Sequence, residues 1–215
     1  MDVNINLNKQ KLIVKLKNEG YIKSNNIELA FKKIPRENFI RKKDHFSAYD
    51  DNPLSIGFGQ TISAPHMVAI ICEELNLKKD QKILEIGSGS GYHAAIVSNI
   101  IGKKGKVISI ERIPALADFA KNNIEKTGIV NVEIIKGDGS VGFIKEAPYD
   151  RIYITCAAPN IPKNLIKQLK NPGKIIVPVG KIFCILKSLE KIKDKEIINN
   201  LGNCAFVPMI GKDGY

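Results

Sequence analysis

Between Lys82 and Val179, apolar runs of strand length alternate with segments of helix length. The runs are KILEI, KVISIE, VEIIK, YDRIYIT and KIIVPV, and each meets a Gly or Pro within a few residues of its end. This is the rhythm of βαβ units. Because the runs are apolar on both faces, they predict a mostly parallel sheet covered by helices on either side, the open doubly wound α/β arrangement. A ligand site in such a fold lies at the carboxyl ends of the strands.

Helical spacing marks Tyr92 to Ile101 and Pro114 to Thr127, with Pro114 suited to a first turn where its missing N–H costs nothing, and Asn164 to Leu169 gives a short further helix. Ahead of the sheet, Lys9 to Lys17 and Asn26 to Lys33 read as amphipathic helices and Pro65 to Leu75 as a longer, largely buried one. These cover the sheet or form a lid. After Val179, IFCILKSLEKI and CAFVPM are strand-like with a polar, charged stretch between them, which predicts an antiparallel edge on the sheet. One hydrophobic core can serve 215 residues. The expected organisation is a single domain over 1–215, with N-terminal helices and an acceptor loop in 1–80, a cofactor-binding core in 81–180 and C-terminal strands in 181–215.

A formal net charge of +11 raises the local concentration of any anionic partner, nucleic acid or carboxylate-bearing peptide alike. Most of the excess is lysine scattered singly, as in KNPGK and KSLEKIKDKE, without interleaved aromatics for bases to stack on, so a solvated surface is the simpler reading. No run approaches the roughly 20 apolar residues of a membrane span, and the first residues lack the apolar core of a signal peptide. The expected location is the cytoplasm. Cys72, Cys156, Cys184 and Cys204 form no C-x-x-C pair and His45, His66 and His93 are dispersed, so no metal site is expected.

Directly after the first core strand comes LEIGSGSGYHAA, with Gly87, Gly89 and Gly91 at alternate positions before a helix. Glycines let backbone amides approach a ligand, and the helix amino end favours a carboxylate or phosphate. The third place of a dinucleotide G-x-G-x-x-G falls on Tyr92, which argues against NAD. Glu111 ends KVISIE, where a carboxylate can accept both hydroxyl protons of an adenosine ribose. Asp138 stands between Gly137 and Gly139 and could project toward an adenine amino group, with a plain turn aspartate as the rival. Together with Glu85, which ends the first core strand, this set resembles the Class I S-adenosylmethionine-dependent methyltransferases. The resemblance implies S-adenosyl-L-methionine as cofactor and S-adenosyl-L-homocysteine as product, held by Glu85, Gly87, Ser88, Gly89, Gly91, Glu111, Asp138 and Gly139.

Upstream, DNPLSIGFGQTISAPHM is rich in glycine and hydroxyls and carries Ser55, Thr61 and Ser63. Such a loop suits the positioning of a carboxylate, and it reads equally as a helix start with Ser63 as N-cap and Pro65 just inside. IGFGQTISAPHM closely resembles the substrate loop of the protein-L-isoaspartate O-methyltransferases, and LEIGSGSGY, GDG, APYDRIYIT with AAP, and PGKIIVPVG follow in register. The likeness covers Pro53 to Gly180 with a weaker echo in FVP, and the lysine-rich KSLEKIKDKE departs from it. It implies Ser63 as the active-site hydroxyl, with Thr61 and Ile62 lining the same loop. It further implies, as partners, damaged proteins carrying L-isoaspartyl residues, with D-aspartyl acceptors left open, and a methyl ester that collapses to a succinimide and reopens partly to aspartate.

A carboxylate is already ionised near pH 7, so in-line methyl transfer to it needs no general base. His66, at the first turn of a helix, is accordingly assigned no chemistry, whereas His93 either lines the cofactor pocket or faces solvent. Tyr149 and Pro159 read as structural. A tRNA or other nucleic-acid methyltransferase is the first alternative, but Thr155 to Asn160 offers no aromatic to stack a flipped base. A non-catalytic basic RNA-binding module is the second, and it would bind in a strongly salt-dependent way without transferring methyl groups.

Overall fold

The computed structural model of the chain describes residues 2–181 and 183–215, with side chains from residue 5 onward. Helices α1 (Asp2–Asn18) and α2 (Asn25–Lys33) are followed by 3-10 turns at Arg36–Phe39 and Lys42–Ser47. A hairpin of β1 (Leu54–Gly57) and β2 (Gln60–Ile62) then leads into α3 (Pro65–Leu75). The core follows as β3 (Lys82–Ile86), α4 (Tyr92–Ile101), β4 (Lys106–Glu111), α5 (Pro114–Lys126), β5 (Val132–Lys136), 3-10 turns at Gly139–Val141 and Ile144–Glu146, β6 (Tyr149–Ile154), α6 (Lys163–Lys167) and β7 (Leu169–Gly180). Two further strands, β8 (Cys184–Ile192) and β9 (Lys195–Cys204), complete it.

Seven strands form one sheet in the order β5-β4-β3-β6-β7-β8-β9. The first five are mutually parallel, and β7–β8 and β8–β9 are antiparallel. Successive side chains on a strand point to opposite faces, and the core obeys this. Ile83, Val107, Tyr153 and Ile176 pack with α1 to α5, while Leu84, Ile108, Ile152 and Ile175 form a second cluster on the other face. All eight are 0% exposed, and full burial of one such aliphatic side chain stabilises by roughly 1.5–3 kcal/mol. The second face is covered more thinly than the sequence predicts, by Leu165 of α6 together with Phe143 and Met209. The Gly- and Pro-rich connections on that side leave room for little regular helix.

Local chemistry sets the boundaries. Pro65 and Pro114 sit in the first turns of α3 and α5, where a missing N–H is harmless. Asn76 ends α3 in the left-handed region at φ 49. Helix α1 starts seven residues before the expected Lys9: Leu12, Ile13 and Leu16 are buried and carry the amphipathic signal, whereas Leu7 on the earlier turns is half-exposed.

The C-terminal expectation needs one correction. The run IFCILKSLEKI is β8 from Cys184 on, with Ile182 outside the described residues, but its partner is β9, which is the polar stretch and only the first residue, Cys204, of CAFVPM. An edge strand needs only its ladder hydrogen bonds, and β9 is exposed over most of its length, so no apolar pattern announces it. After Cys204 the chain leaves the sheet and turns back toward β6, where the Ala157 amide donates to the Val207 carbonyl at 2.7 Å and the Met209 amide to the Ala157 carbonyl at 2.8 Å.

Candidate active site

The chain leaves β3 toward β4 on one side and returns to β6 on the other, so the crevice outside their carboxyl ends is the switch point where open α/β sheets hold ligands. One cavity opens there. It is lined by Thr61, Ile62 and Ser63, by Glu85 and Gly87 to Ser90, by Glu111, Gly139 and Ser140, by Thr155 and Cys156, and by Val207 to Ile210.

Strand register builds its floor. Glu85 lies opposite Ser109 on β4 and Tyr153 on β6, on one face of the sheet. Its carboxyl is fully buried, and Ser109 donates to Oε2 while also pairing with the Ser88 hydroxyl at 2.6 Å. Tyr153 approaches the same carboxyl without completing a hydrogen bond, and Oε1 has no partner. Burial pushes this acid up to about 8, opposed by the two hydroxyls and assisted by the charge of Glu111. An acceptor oxygen left bare at the bottom of a cavity suits a ligand cation. Beside it, His93 packs on Tyr153 with ring centroids 4.4 Å apart and the planes tilted by 41°, and burial lowers its imidazole to about 3, so it is neutral. Its Nδ1 is also unpartnered.

The glycine loop turns sharply above this floor. Gly87 has φ +93, and a Cβ there would collide with the Thr155 hydroxyl, so only glycine lets the loop approach β6. Gly91 stands behind the lining: a Cβ would come 3.3 Å from the Ala120 carbonyl of α5, so it serves the packing of α4 on α5. Glu111 accepts the Gly89 amide at 3.0 Å and the Ile113 amide at 2.9 Å, and a carboxylate with about four lone-pair sites keeps capacity for ligand hydroxyls.

Asp138 is not in the lining. Its carboxylate accepts the Ser140 amide at 2.8 Å and the Lys212 amide at 2.9 Å, which leaves Gly139 and Ser140 facing the cavity. Burial alone would raise this acid, but those hydrogen bonds outweigh it and hold the carboxyl below its usual range.

The acceptor loop is a hairpin. Phe58 at φ +54 and Gly59 at φ +68 make its two-residue tip, the doubly left-handed turn that matches strand twist. Ser63 follows β2 and lines the cavity, but the residue that caps α3 is Ala64. The N-cap reading of Ser63 is therefore wrong: Pro65 at the first helical position places the cap one residue later. His66 does no capping either; its amide and Nδ1 both meet Asp51 Oδ1 at 2.9 Å.

Sequence reasoning missed the C-terminal wall. Val207 to Ile210 close one side of the cavity, held by the Ala157 bonds, by Asp138 and by Asn164, whose Nδ2 meets Asp213 at 2.6 Å. The weak FVP echo was the signal available. It also missed Thr155, whose hydroxyl donates to the Gly87 carbonyl at 2.7 Å, and Arg36 beneath the hairpin.

With this geometry in place, comparison with known proteins is direct. Residues 7–214 match the family model "Protein-L-isoaspartate(D-aspartate) O-methyltransferase (PCMT)". The chain is 52% identical to the protein-L-isoaspartate O-methyltransferase of Methanococcus aeolicus, over 97% of each chain. Against the protein of the same description from Methanopyrus kandleri the identity is 49%, over 96% of this chain and 93% of that one. A Plasmodium falciparum protein described as a beta-aspartate methyltransferase (PCMT), solved in complex with S-adenosyl-L-homocysteine, superposes with a TM-score of 0.83 at 28% identity, covering 93% of this chain and 97% of that one. A mostly parallel sheet, a bare buried acid at its switch point and these likenesses agree, and the chain belongs to the protein-L-isoaspartate O-methyltransferase family.

Proposed function

We propose that this methyltransferase repairs damaged proteins by esterifying the free carboxylate of L-isoaspartyl residues, with the ester then closing to a succinimide that reopens partly to aspartate. The observation that carries the reading is that the Ser63 hairpin and the Glu85–Ser90 segment line one cavity, so an acceptor and a cofactor can meet there. When bound, S-adenosylmethionine supplies an activated methyl group. Glu85, with its free oxygen, takes the cofactor's ammonium, the turn from Gly87 to Gly89 lies against its methionine end, and Glu111 accepts the ribose hydroxyls. Gly139 and Ser140 border the adenine, with Asp138 fixing their turn.

On the acceptor side, Ser63 donates to the carboxylate while Thr61 and Ile62 border it. The groups orient an oxygen that is already ionised, so transfer requires alignment and no base. Donation from Ser63 must stay modest, because the attacking oxygen loses negative charge in the transition state. We assign all of 1–215 to one catalytic domain and place it in the cytoplasm, the latter to be tested by cell fractionation.

The decisive experiment supplies methyl-labelled S-adenosylmethionine with two peptides that differ only in isoaspartate against aspartate, and with bulk tRNA. Base-labile label on the isoaspartyl peptide alone is the expected result. Label on tRNA, or on both peptides equally, overturns the reading.

A further inference from the structure

Arg36 is an arginine with no solvent exposure and no ion pair among the described residues. Burying a charge is expensive unless its donors are satisfied, so its partners reveal what it is for. Nη1 donates to the Ser63 carbonyl at 2.7 Å and Nη2 to the Asn52 carbonyl at 3.1 Å. These two carbonyls flank the two feet of the β1–β2 hairpin, Asn52 one residue removed from the start of β1 and Ser63 directly after β2. The guanidinium therefore closes the hairpin from beneath, in the two-pronged geometry that arginine has and lysine lacks. Its cationic carbon also lies 5.4 Å from the centroid of Tyr92, the first residue of α4 and the one that follows the glycine loop. One step farther out, Asp51 grips the amide and ring of His66, a second clasp across the same feet.

We infer that Arg36 is a positioning residue for methyl transfer: its fork fixes the Ser63 hairpin against the α4 end of the cofactor loop, and so sets where the acceptor sits. Arg36 reaches main-chain carbonyls only and is absent from the cavity lining, so it acts through the hairpin and not on the ligands. This rests on the acceptor assignment above for its kinetic arm, but not for its structural one.

The test compares wild type with Arg36→Lys and Arg36→Met. Lysine keeps the charge but can serve only one carbonyl well. For Arg36→Lys, kcat on the isoaspartyl peptide should fall about tenfold and KM should change less than about threefold, since slight misplacement of a reacting group costs rate more than binding. The affinity for S-adenosyl-L-homocysteine should stay within about threefold, and amide exchange should accelerate in residues 54–62 while β3 and β4 keep their protection. Arg36→Met should lose about 100-fold in kcat, or fail to fold, in which case the lysine variant decides. A lower Tm for Arg36→Lys, with kcat and hairpin exchange both within about twofold of wild type, would overturn the inference and leave Arg36 a plain core residue. Should wild type fail to methylate the peptide, the acceptor assignment falls, and unchanged hairpin exchange in Arg36→Lys would separately overturn the clamp.

Discussion

The Thr155 hydroxyl donates to the Gly87 carbonyl at 2.7 Å from the side on which a Cβ at Gly87 would stand. The end of β6 and the cofactor loop are thus fitted to each other with no room for a methyl group. Gly87→Ala adds a collision to the roughly 1–2 kcal/mol cost of a left-handed alanine, so affinity for S-adenosyl-L-homocysteine should fall at least about tenfold by titration calorimetry. Thr155→Ala in the same chain removes the collision and should restore part of the loss. Strict additivity of the two changes would show that the contact is not what excludes a side chain there.

The raised acid at Glu85 ties stability and binding to pH. Its folded value of about 8 lies above the ordinary 4.5, so the neutral form favours the fold. That contribution is complete below about 4.5 and is lost as pH rises through about 8. The ligand-free Tm of wild type should drop between these values, at up to about 1.4 kcal/mol of stability per pH unit, and Glu85→Gln should flatten the curve. A cationic ligand group reverses the preference, so binding near pH 7 should release a proton, measurable by calorimetry in buffers of different ionisation enthalpy. Parallel stability curves for the two proteins would remove Glu85 from this role.

Ser63 borders the cavity from the hairpin side, and Glu85 from the sheet. Ser63→Ala should lower kcat/KM for an isoaspartyl peptide by about tenfold while affinity for S-adenosyl-L-homocysteine stays unchanged, since one orienting hydrogen bond to a charged group contributes roughly 1.5–3 kcal/mol at most. Steady-state kinetics with both substrates varied separates the two effects.

Asp138 ties the 3-10 turn at Gly139 to the Lys212 amide. Asp138→Ala should loosen Val207 to Ile210, weaken S-adenosyl-L-homocysteine about tenfold, as expected for a lost charge-assisted hydrogen bond, and expose the tail to limited proteolysis. Weaker binding with an unchanged cleavage pattern would instead mean that Asp138 meets the ligand itself.

Much of this was legible in the sequence because periodicity reports burial. The five core strands are buried on two faces and announce themselves, and LEIGSGSGY and QTISAP mark the loop and the hairpin foot. What stayed hidden has two physical causes. Strand β9 is exposed and polar, so its hydrogen bonds leave no apolar trace. Arg36, Thr155 and Val207 to Ile210 matter through contacts 27, 68 and about 50 residues away in sequence, as Arg36–Ser63, Thr155–Gly87 and Met209–Ala157. The N-cap reading of Ser63 failed for a local reason, since Pro65 fixes the first turn so that Ala64 must occupy the cap.

The cavity walls are drawn from residue 60 to residue 210, from the hairpin, the ends of β3 and β4, the segments that follow β3, β5 and β6, and the returning tail. The lining draws on most of the length of the chain, so occupancy guards the molecule as a whole and not one corner of it. A ligand that binds only the native state at 100 times its Kd adds about 2.7 kcal/mol against global unfolding. A falling ligand supply would then cost the fold stability well before it cost the site much of its occupancy.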